Sequence, residues 1–248
     1  MKITGTIITL NEEKNLPRCL QSLAMCDEVV VVDSGSKDRT VKIGEQAGAT
    51  VLQRDWTGYA DQKNYAAESA SNDWILSLDA DEELSETLRS EIREVKATEP
   101  DVAGFRFPRH AHYLGKWINH SGWYPDRKIR LYDRRKAEWI GDYVHESVVT
   151  NEPVRELQGD LLHYTCDTFA NHLKSLDRYT DLAAQKLADR GQRVGWGRLL
   201  IGPPWTFVKT LLLKRGFLDG IRGLAISYAA ALYVYSKYSK ARALYSGR

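Results

Sequence analysis

Trp74-Ile-Leu-Ser-Leu-Asp-Ala-Asp-Glu-Glu83 is the stretch on which the fold turns. A short apolar strand runs straight into Asp79-Ala80-Asp81, so two carboxylates one residue apart stand at the end of a buried strand. Hard divalent cations take oxygen ligands and complete their shell with water and substrate phosphates. One or two carboxylates at a strand end suffice to hold them. The same residues have a plainer reading, a polar turn leading into a helix over residues 85–96. What lies upstream decides between the two.

Residues 3–10 read as a strand and 16–24 as a helix, joined by the polar turn Asn11-Glu12-Glu13-Lys14-Asn15. Residues 28–33 form a second strand whose four consecutive valines imply burial on both faces. A loop at Ser34-Gly-Ser-Lys-Asp38, a helix over 40–47, a strand over 50–53 and a helix over 59–70 lead to the strand 74–78. This alternation predicts an α/β fold with a parallel sheet and crossover helices. Ligands of such sheets bind at the carboxyl ends of the strands, where Asn11, Asp33 and Asp79-Ala80-Asp81 all lie.

Asp33 can accept hydrogen bonds from a base or a ribose, and the Ser/Gly loop after it presents backbone N–H groups. A strand-ending aspartate that caps a turn is the competing reading. Taken with Asp79-Ala80-Asp81, a nucleoside site after the second strand and a metal–diphosphate site after the fourth describe a nucleotide-diphosphate binder. Neither Gly-x-x-x-x-Gly-Lys-Ser/Thr nor Gly-x-Gly-x-x-Gly occurs, so a P-loop or a dinucleotide fingerprint does not account for it.

Beyond residue 97 the pattern changes. Segments 104–109, 128–132, 137–140 and 144–149 are β-rich, and a Gly/Trp/Tyr/Pro-rich loop over 115–126 separates the first two. From Thr168 the periodicity is helical, with a breaker at Gly202-Pro203-Pro204 and a last helix near 218–245. A chain of 248 residues accommodates one large α/β domain with an appendage.

The 35 Lys and Arg nearly cancel the 33 Asp and Glu, so composition offers no case for a general nucleic-acid binder. Cys19, Cys26 and Cys166 make neither a metal spacing nor a disulfide framework and suit reduced thiols in the cytoplasm. The N-terminus reads as a first strand, not a signal peptide. No run approaches the 18 or more apolar residues of a membrane span, which leads us to expect a soluble or peripheral chain. From Lys209 onward eight cations face one acid, Asp219. Trp205, Phe207 and Leu212 interleave there with Lys209, Lys214 and Arg215, as suits an interfacial helix on anionic lipid. Packing on its own domain, or a homodimer contact, explains the same pattern.

Four ordered motifs carry a resemblance: Thr6-Ile-Ile-Thr-Leu-Asn-Glu-Glu-Lys-Asn-Leu16, Val31-Val-Asp-Ser-Gly-Ser-Lys-Asp-Arg-Thr40, Gln62-Lys63-Asn64 and Leu78-Asp-Ala-Asp-Glu82. They resemble the inverting glycosyltransferase family 2. That likeness implies the GT-A fold, a Rossmann-like mixed, mostly parallel sheet with flanking helices and, here, a C-terminal helical extension. Trp123-Tyr-Pro-Asp-Arg-Lys-Ile-Arg-Leu-Tyr132, Val144-His-Glu146 and Gly216-Phe-Leu-Asp-Gly220 extend the resemblance to the bacterial lipopolysaccharide-core β-1,4-glucosyltransferases of that family. The resemblance divides the chain into a catalytic domain over 1–165, with a nucleotide-sugar half (1–97) and an acceptor half (98–165), and a basic extension over 166–248.

It further implies a UDP-glucose donor, a heptose of the lipopolysaccharide inner core as acceptor, and a peripheral place on the inner face of the cytoplasmic membrane. Another nucleotide-sugar with a different lipid-linked or protein acceptor is the alternative. Thr9, Asn11 and Glu12 would surround uracil and ribose, Asp33 would hold base or ribose, and Lys63 would approach the nucleotide. Asp81, with Asp79, would hold Mg²⁺ or Mn²⁺, Asp79 also reaching ribose or metal-bound water. Inversion needs one general base for the acceptor hydroxyl; Glu146 is the choice, beside an imidazole that could orient it, and Asp126 is its rival. Arg127 and Arg130 either reach the diphosphate, whose oxygens match arginine's paired donors, or are solvated strand residues. Trp123, Tyr124 and His145 are candidates for the acceptor. A nucleotidyltransferase would also pair carboxylates with Mg²⁺, but calls for a Gly-rich, cationic loop where this chain has Asn11-Glu12-Glu13.

Overall fold

The computed structural model describes residues 1–141 and 146–246. Contacts divide the chain into one unit of Met1–Arg109 with Asp126–His163 and another of His110–Pro125 with Tyr164–Arg248.

The first unit opens with β1 (Ile3–Thr9), α1 (Leu16–Ser22), β2 (Glu28–Asp33), α2 (Thr40–Gln46), β3 (Thr50–Gln53), α3 (Tyr59–Glu68) and β4 (Trp74–Asp79). β1 pairs in parallel with both β2 and β4, and β2 with β3, giving the order β3-β2-β1-β4. Every residue of β1 is buried, which explains its unbroken apolar and Thr character. The order reverses at β1, so the crevice at its carboxyl end lies between the ends of β2 and β4.

After β5 (Glu82–Leu84) and α4 (Glu86–Lys96) come β6 (Gly104–Tyr113), the two-residue β7 (Lys116–Trp117) and β8 (Asp126–Asp133). β8 lies antiparallel to β4 and to β6, so the sheet is parallel on one side and mixed on the other. β9 (Glu138–Ile140) and β10 (Ser147–Val149) form a separate antiparallel pair. Their Trp139 and Val148 pack with Ile75, Tyr132 and Ala67. β11 (Val154–Glu156) joins β6 in parallel, and β12 (Leu161–Cys166) begins antiparallel to β5. The expected mixed, mostly parallel sheet with flanking helices and a helical C-terminus is what the chain forms.

The differences from expectation are local. β5, β11 and β12 carry no periodicity long enough to read. The strand expected over 144–149 is seen at Ser147–Val149, and residues 144 and 145 lie outside the described residues. Gly202-Pro203-Pro204 breaks the helical run as expected, one helix ending at Leu200, and it also starts the next, because prolines in a first turn lack only N–H groups that the helix leaves unpaired anyway.

In the second unit, α5 (Phe169–Asp189) is capped by Thr168, whose hydroxyl accepts from the Asn171 N–H at 3.2 Å. Short helices α6 (Trp196–Leu200) and α7 (Gly202–Val208), a π-type turn and a 3₁₀ turn lead into the 26-residue α8 (Ile221–Ser246). Lys240 of α8 pairs with Asp177 and Asp181 of α5 at 2.6 and 2.7 Å. Asp219, with its side chain 4% exposed, accepts from the backbone N–H groups of Asn119 and His120 at 3.2 Å and from Ser121 Oγ at 2.8 Å. The loop over 119–121 is thereby fastened to the turn before α8. Gly223, in the first turn of α8, is required where that helix meets the preceding turn, since a Cβ there would lie 1.7 Å from the Gly216 carbonyl oxygen.

Candidate active site

β4 is buried through Leu78 and surfaces at Asp79. The chain reverses at once into β5, and Glu82 folds its carboxylate under the turn to accept the Asp79 N–H at 2.9 Å. Glu82 is fully buried; its Oε1 also takes Arg130 Nη2 at 3.1 Å and Arg109 Nε. A carboxylate removed from water survives only with such donors.

Asp79 faces the same cations. Its Oδ2 lies 3.2 Å from Arg130 Nη2 and its Oδ1 2.9 Å from Lys63 Nζ. Burial works against the Asp79 charge, but Lys63, Arg130 and Arg109 outweigh it and hold the carboxyl well below the usual carboxylate range.

Lys63 is on the face of α3 that also buries Ala66 and Ala67, at the i, i+3, i+4 spacing of a helix turned to a sheet. Its side chain is 1% exposed, and a buried ammonium needs partners. It has three: Asp79, Glu146 Oε1 at 3.0 Å, and the Trp139 ring face at 4.3 Å.

Arg130 enters through a bulge. Phe105 pairs with Leu131 and Arg106 with Ile129, which leaves Arg130 with no opposite residue on β6 and turns its side chain toward Asp79 and Glu82. Burial opposes its charge, but Glu82, Asp79 and Glu146 raise its pKa further above the ordinary arginine value. Among the described residues its Nε and Nη1 are buried without a hydrogen-bond partner, and the guanidinium stands 5.0 Å from the Trp139 ring. Two donors of a fork suited to phosphate oxygens are unspent.

Asp81 turns the other way, its Oδ2 3.2 Å from His163 Nε2 on β12, while His163 Nδ1 is buried without a hydrogen-bond partner among the described residues. Glu12 is close enough to Asp81 to feel it: burial first, then the charges of Asp81 and Asp38, push its pKa up against a hydrogen bond from Asn15 that lowers it. Excess negative potential beside an oxygen–imidazole pair suits a divalent cation. Among the described residues no third His, Cys, Asp or Glu completes a cluster, so such an ion would take its remaining ligands from water and substrate phosphate.

The ends of β1 and β2 form a second network. Asn11, at φ 55°, accepts the Lys37 N–H at 2.8 Å and gives its own N–H to Ser36 Oγ at 2.7 Å. The Glu12 N–H goes to Thr40 Oγ1 at 2.8 Å. Asp33 is fully buried and accepts from the N–H groups of Gly35 and Ser36 and from the Ser36 hydroxyl. Its carboxylate thus shapes its own loop. Thr9 Oγ1 is buried with no hydrogen-bond partner among the described residues.

Lys63, Asp79, Arg130 and Glu146 are therefore brought together. Asp126 and Arg127 are not. Asp126 is 42% exposed and pairs with Lys128 of its own strand at 3.1 Å, and Arg127 reaches the Leu157 carbonyl at 3.3 Å. Trp123 and Tyr124 belong to the second unit, where Trp123 packs on Tyr113 and His172 and Tyr124 on His110. His145 lies outside the described residues. Glu82, Arg109, Trp139 and His163 carry the site without having been singled out. Glu82 stood inside a quoted motif, but the others sit on separate strands and have no shared spacing to betray them.

Residues 6–157 match the family model for Glycosyl transferase family 2. The lipopolysaccharide core biosynthesis glycosyltransferase LpsC of Rhizobium meliloti is 30% identical over 98% of this chain and 95% of its own length. An uncharacterized glycosyltransferase of Rickettsia typhi is 32% identical over 98% and 87%. Among solved structures, S. aureus TarS 1-349 aligns with 100% of this chain and 92% of its own at 16% identity and a TM-score of 0.49.

Proposed function

This chain belongs to glycosyltransferase family 2, and from that premise we propose that it transfers glucose, with inversion, from UDP-glucose to a heptose of the lipopolysaccharide inner core. The acceptor half of the reading draws on the likeness to LpsC, whose name places that protein in lipopolysaccharide core biosynthesis. The observation that carries the chemistry is Lys63 bound to both Asp79 and Glu146, which links the carboxyl end of β4 to a carboxylate from the second half of the unit.

Glu146 is the base. It takes the proton of the acceptor hydroxyl as that oxygen bonds to the sugar anomeric carbon, and the bond from that carbon to the diphosphate breaks with its electron pair leaving on UDP. Asp126, the rival, is exposed and tied to Lys128. Lys63 and the unspent donors of Arg130 meet the diphosphate, and Thr9, Asn11, Glu12 and Asp33 form the nucleoside end. Asp81 and His163 would hold Mg²⁺ or Mn²⁺, which when bound neutralises the leaving diphosphate. Asp79, committed to Lys63 and Arg130, orients those cations. Trp123, Tyr124 and His145 serve the acceptor. Residues 1–165 are the catalytic domain, and the extension over 166–248 works at the inner face of the cytoplasmic membrane as a peripheral element. No helix among the described residues is long and apolar enough to cross a membrane.

The test is UDP release from a panel of UDP-sugars, with and without Mg²⁺ or Mn²⁺, on truncated lipopolysaccharide cores ending in heptose. Metal-dependent release with UDP-glucose on a heptose core supports the reading. UDP binding without turnover on any core would redirect the search to another lipid-linked or protein acceptor.

A further inference from the structure

The helices and turns before α8 expose an apolar surface that a monomer in water has no reason to keep. Trp196, Ile201, Trp205, Leu213, Phe217 and Ile221 are each more than half exposed. All six lie between Trp196 and Ile221, on the short helices and turns that precede α8 and on its first residue. Soluble chains rarely leave that many large aromatic and aliphatic side chains of one segment uncovered.

Charge selects what covers it. Arg198, Lys209, Lys214 and Arg215 are exposed in the same stretch, and none is in an ion pair among the described residues. The one acid between Trp196 and Leu224 is Asp219, and its carboxylate is buried against the loop over 119–121. The surface therefore shows water only apolar groups and cations. A second copy of this chain would bring the same cations against these, whereas an anionic bilayer offers phosphates to the cations and acyl chains to the tryptophans.

We infer that the segment from Trp196 to Leu224 is a docking foot that lies in the plane of an anionic lipid surface, with Trp196, Trp205 and Phe217 as its anchors. This deepens the peripheral placement proposed above by naming the surface, and it does not depend on the donor or the acceptor. The π-type turn Lys209–Leu213 and the 3₁₀ turn Gly216–Asp219 keep the foot from running on as one regular helix. The Asp219 bonds fasten it to the loop over 119–121.

The experiment is co-sedimentation of the full chain with vesicles of phosphatidylcholine containing about one-third phosphatidylglycerol, beside pure phosphatidylcholine, with no nucleotide or acceptor present. Binding to the anionic vesicles, weakened by salt and accompanied by a blue shift of tryptophan emission, is the expected result. Lys209→Gln with Arg215→Gln should weaken it about 30-fold. Trp205→Ser with Phe217→Ser should weaken binding and shrink the emission shift, Trp196 remaining, while circular dichroism and melting stay as in the parent chain. Two results overturn the inference: no preference for anionic vesicles, or equal binding by the Trp205→Ser/Phe217→Ser variant. A concentration-dependent dimer that this variant dissolves would assign the face to a second copy and overturn it as well. Because no substrate is present, failure of glucosyl transfer with vesicle binding intact would count against the proposed reaction alone.

Discussion

Glu146 Oε1 lies 3.0 Å from Lys63 Nζ, an ion pair between residues 83 apart in sequence whose lysine is almost entirely buried. The same ammonium is 2.9 Å from Asp79 Oδ1. In the proposed reaction a nucleotide diphosphate would draw Lys63 to itself and leave the Glu146 carboxylate to the acceptor hydroxyl.

Glu146→Gln keeps the shape of the side chain and removes its basicity. Turnover should fall by about 10²–10⁴-fold with UDP affinity little changed. Asp126→Asn should stay within a few-fold of the parent. Steady-state kinetics beside calorimetric UDP titration check both, and the reverse pattern would move the base to Asp126.

Lys63→Met leaves Asp79 and Glu146 facing each other without their shared cation. Breaking a fully buried pair costs roughly 3–5 kcal/mol, and the 24% exposure of Asp79 reduces that to about 2–3 kcal/mol. Urea denaturation measures the loss, and UDP affinity should fall with it.

Asp81→Ala and His163→Ala should each remove the metal dependence of UDP binding while leaving the fold intact. Titrating Mn²⁺ by its paramagnetic effect on water relaxation, in the presence of UDP, reads this directly. Retained metal binding in both variants would show that these two side chains are not the ligands.

Burial holds the His172 imidazole below its ordinary value of about 6.5. Its Nδ1 faces the Tyr113 hydroxyl at 2.8 Å, and burial pushes that phenol up to about 12, so the hydroxyl keeps its proton throughout. As pH falls below about 6.5, the unfolded chain takes a proton that the native imidazole resists, so stability is lost between there and the lower native pKa. His172→Gln should flatten the stability profile in that window, measured by denaturation at a series of pH values. Trp123 packs on the same ring, so its fluorescence should follow.

The parallel half of the sheet was legible because buried strands with crossover helices leave a strong pattern: β2 and β3 lie at the residues expected, and β1 and β4 end within one residue of expectation. Asp79 was legible for the same reason, being fixed to a strand end, whereas Lys63 came only from the resemblance, through Gln62-Lys63-Asn64. The mixed half was not. β5 and β11 are three residues each, and what holds them is pairing with distant strands, which no local pattern encodes. His163 met Asp81 through β12 pairing with β5, and Arg130 reached Asp79 through a bulge. Asp33 shows the limit from the other side. A strand-end aspartate was readable, but whether its carboxylate faces a ligand or its own loop depends on Ser36 and Gly35 closing over it.

The stereochemistry of the product tests the account most directly. One base acting on the acceptor in a single displacement must invert the α-anomeric carbon of UDP-glucose. Proton NMR of the glycosylated heptose core should show a β-linked glucose formed by the parent chain and absent with Glu146→Gln. An α-linked product, or a β-linked product made undiminished by Glu146→Gln, would contradict it.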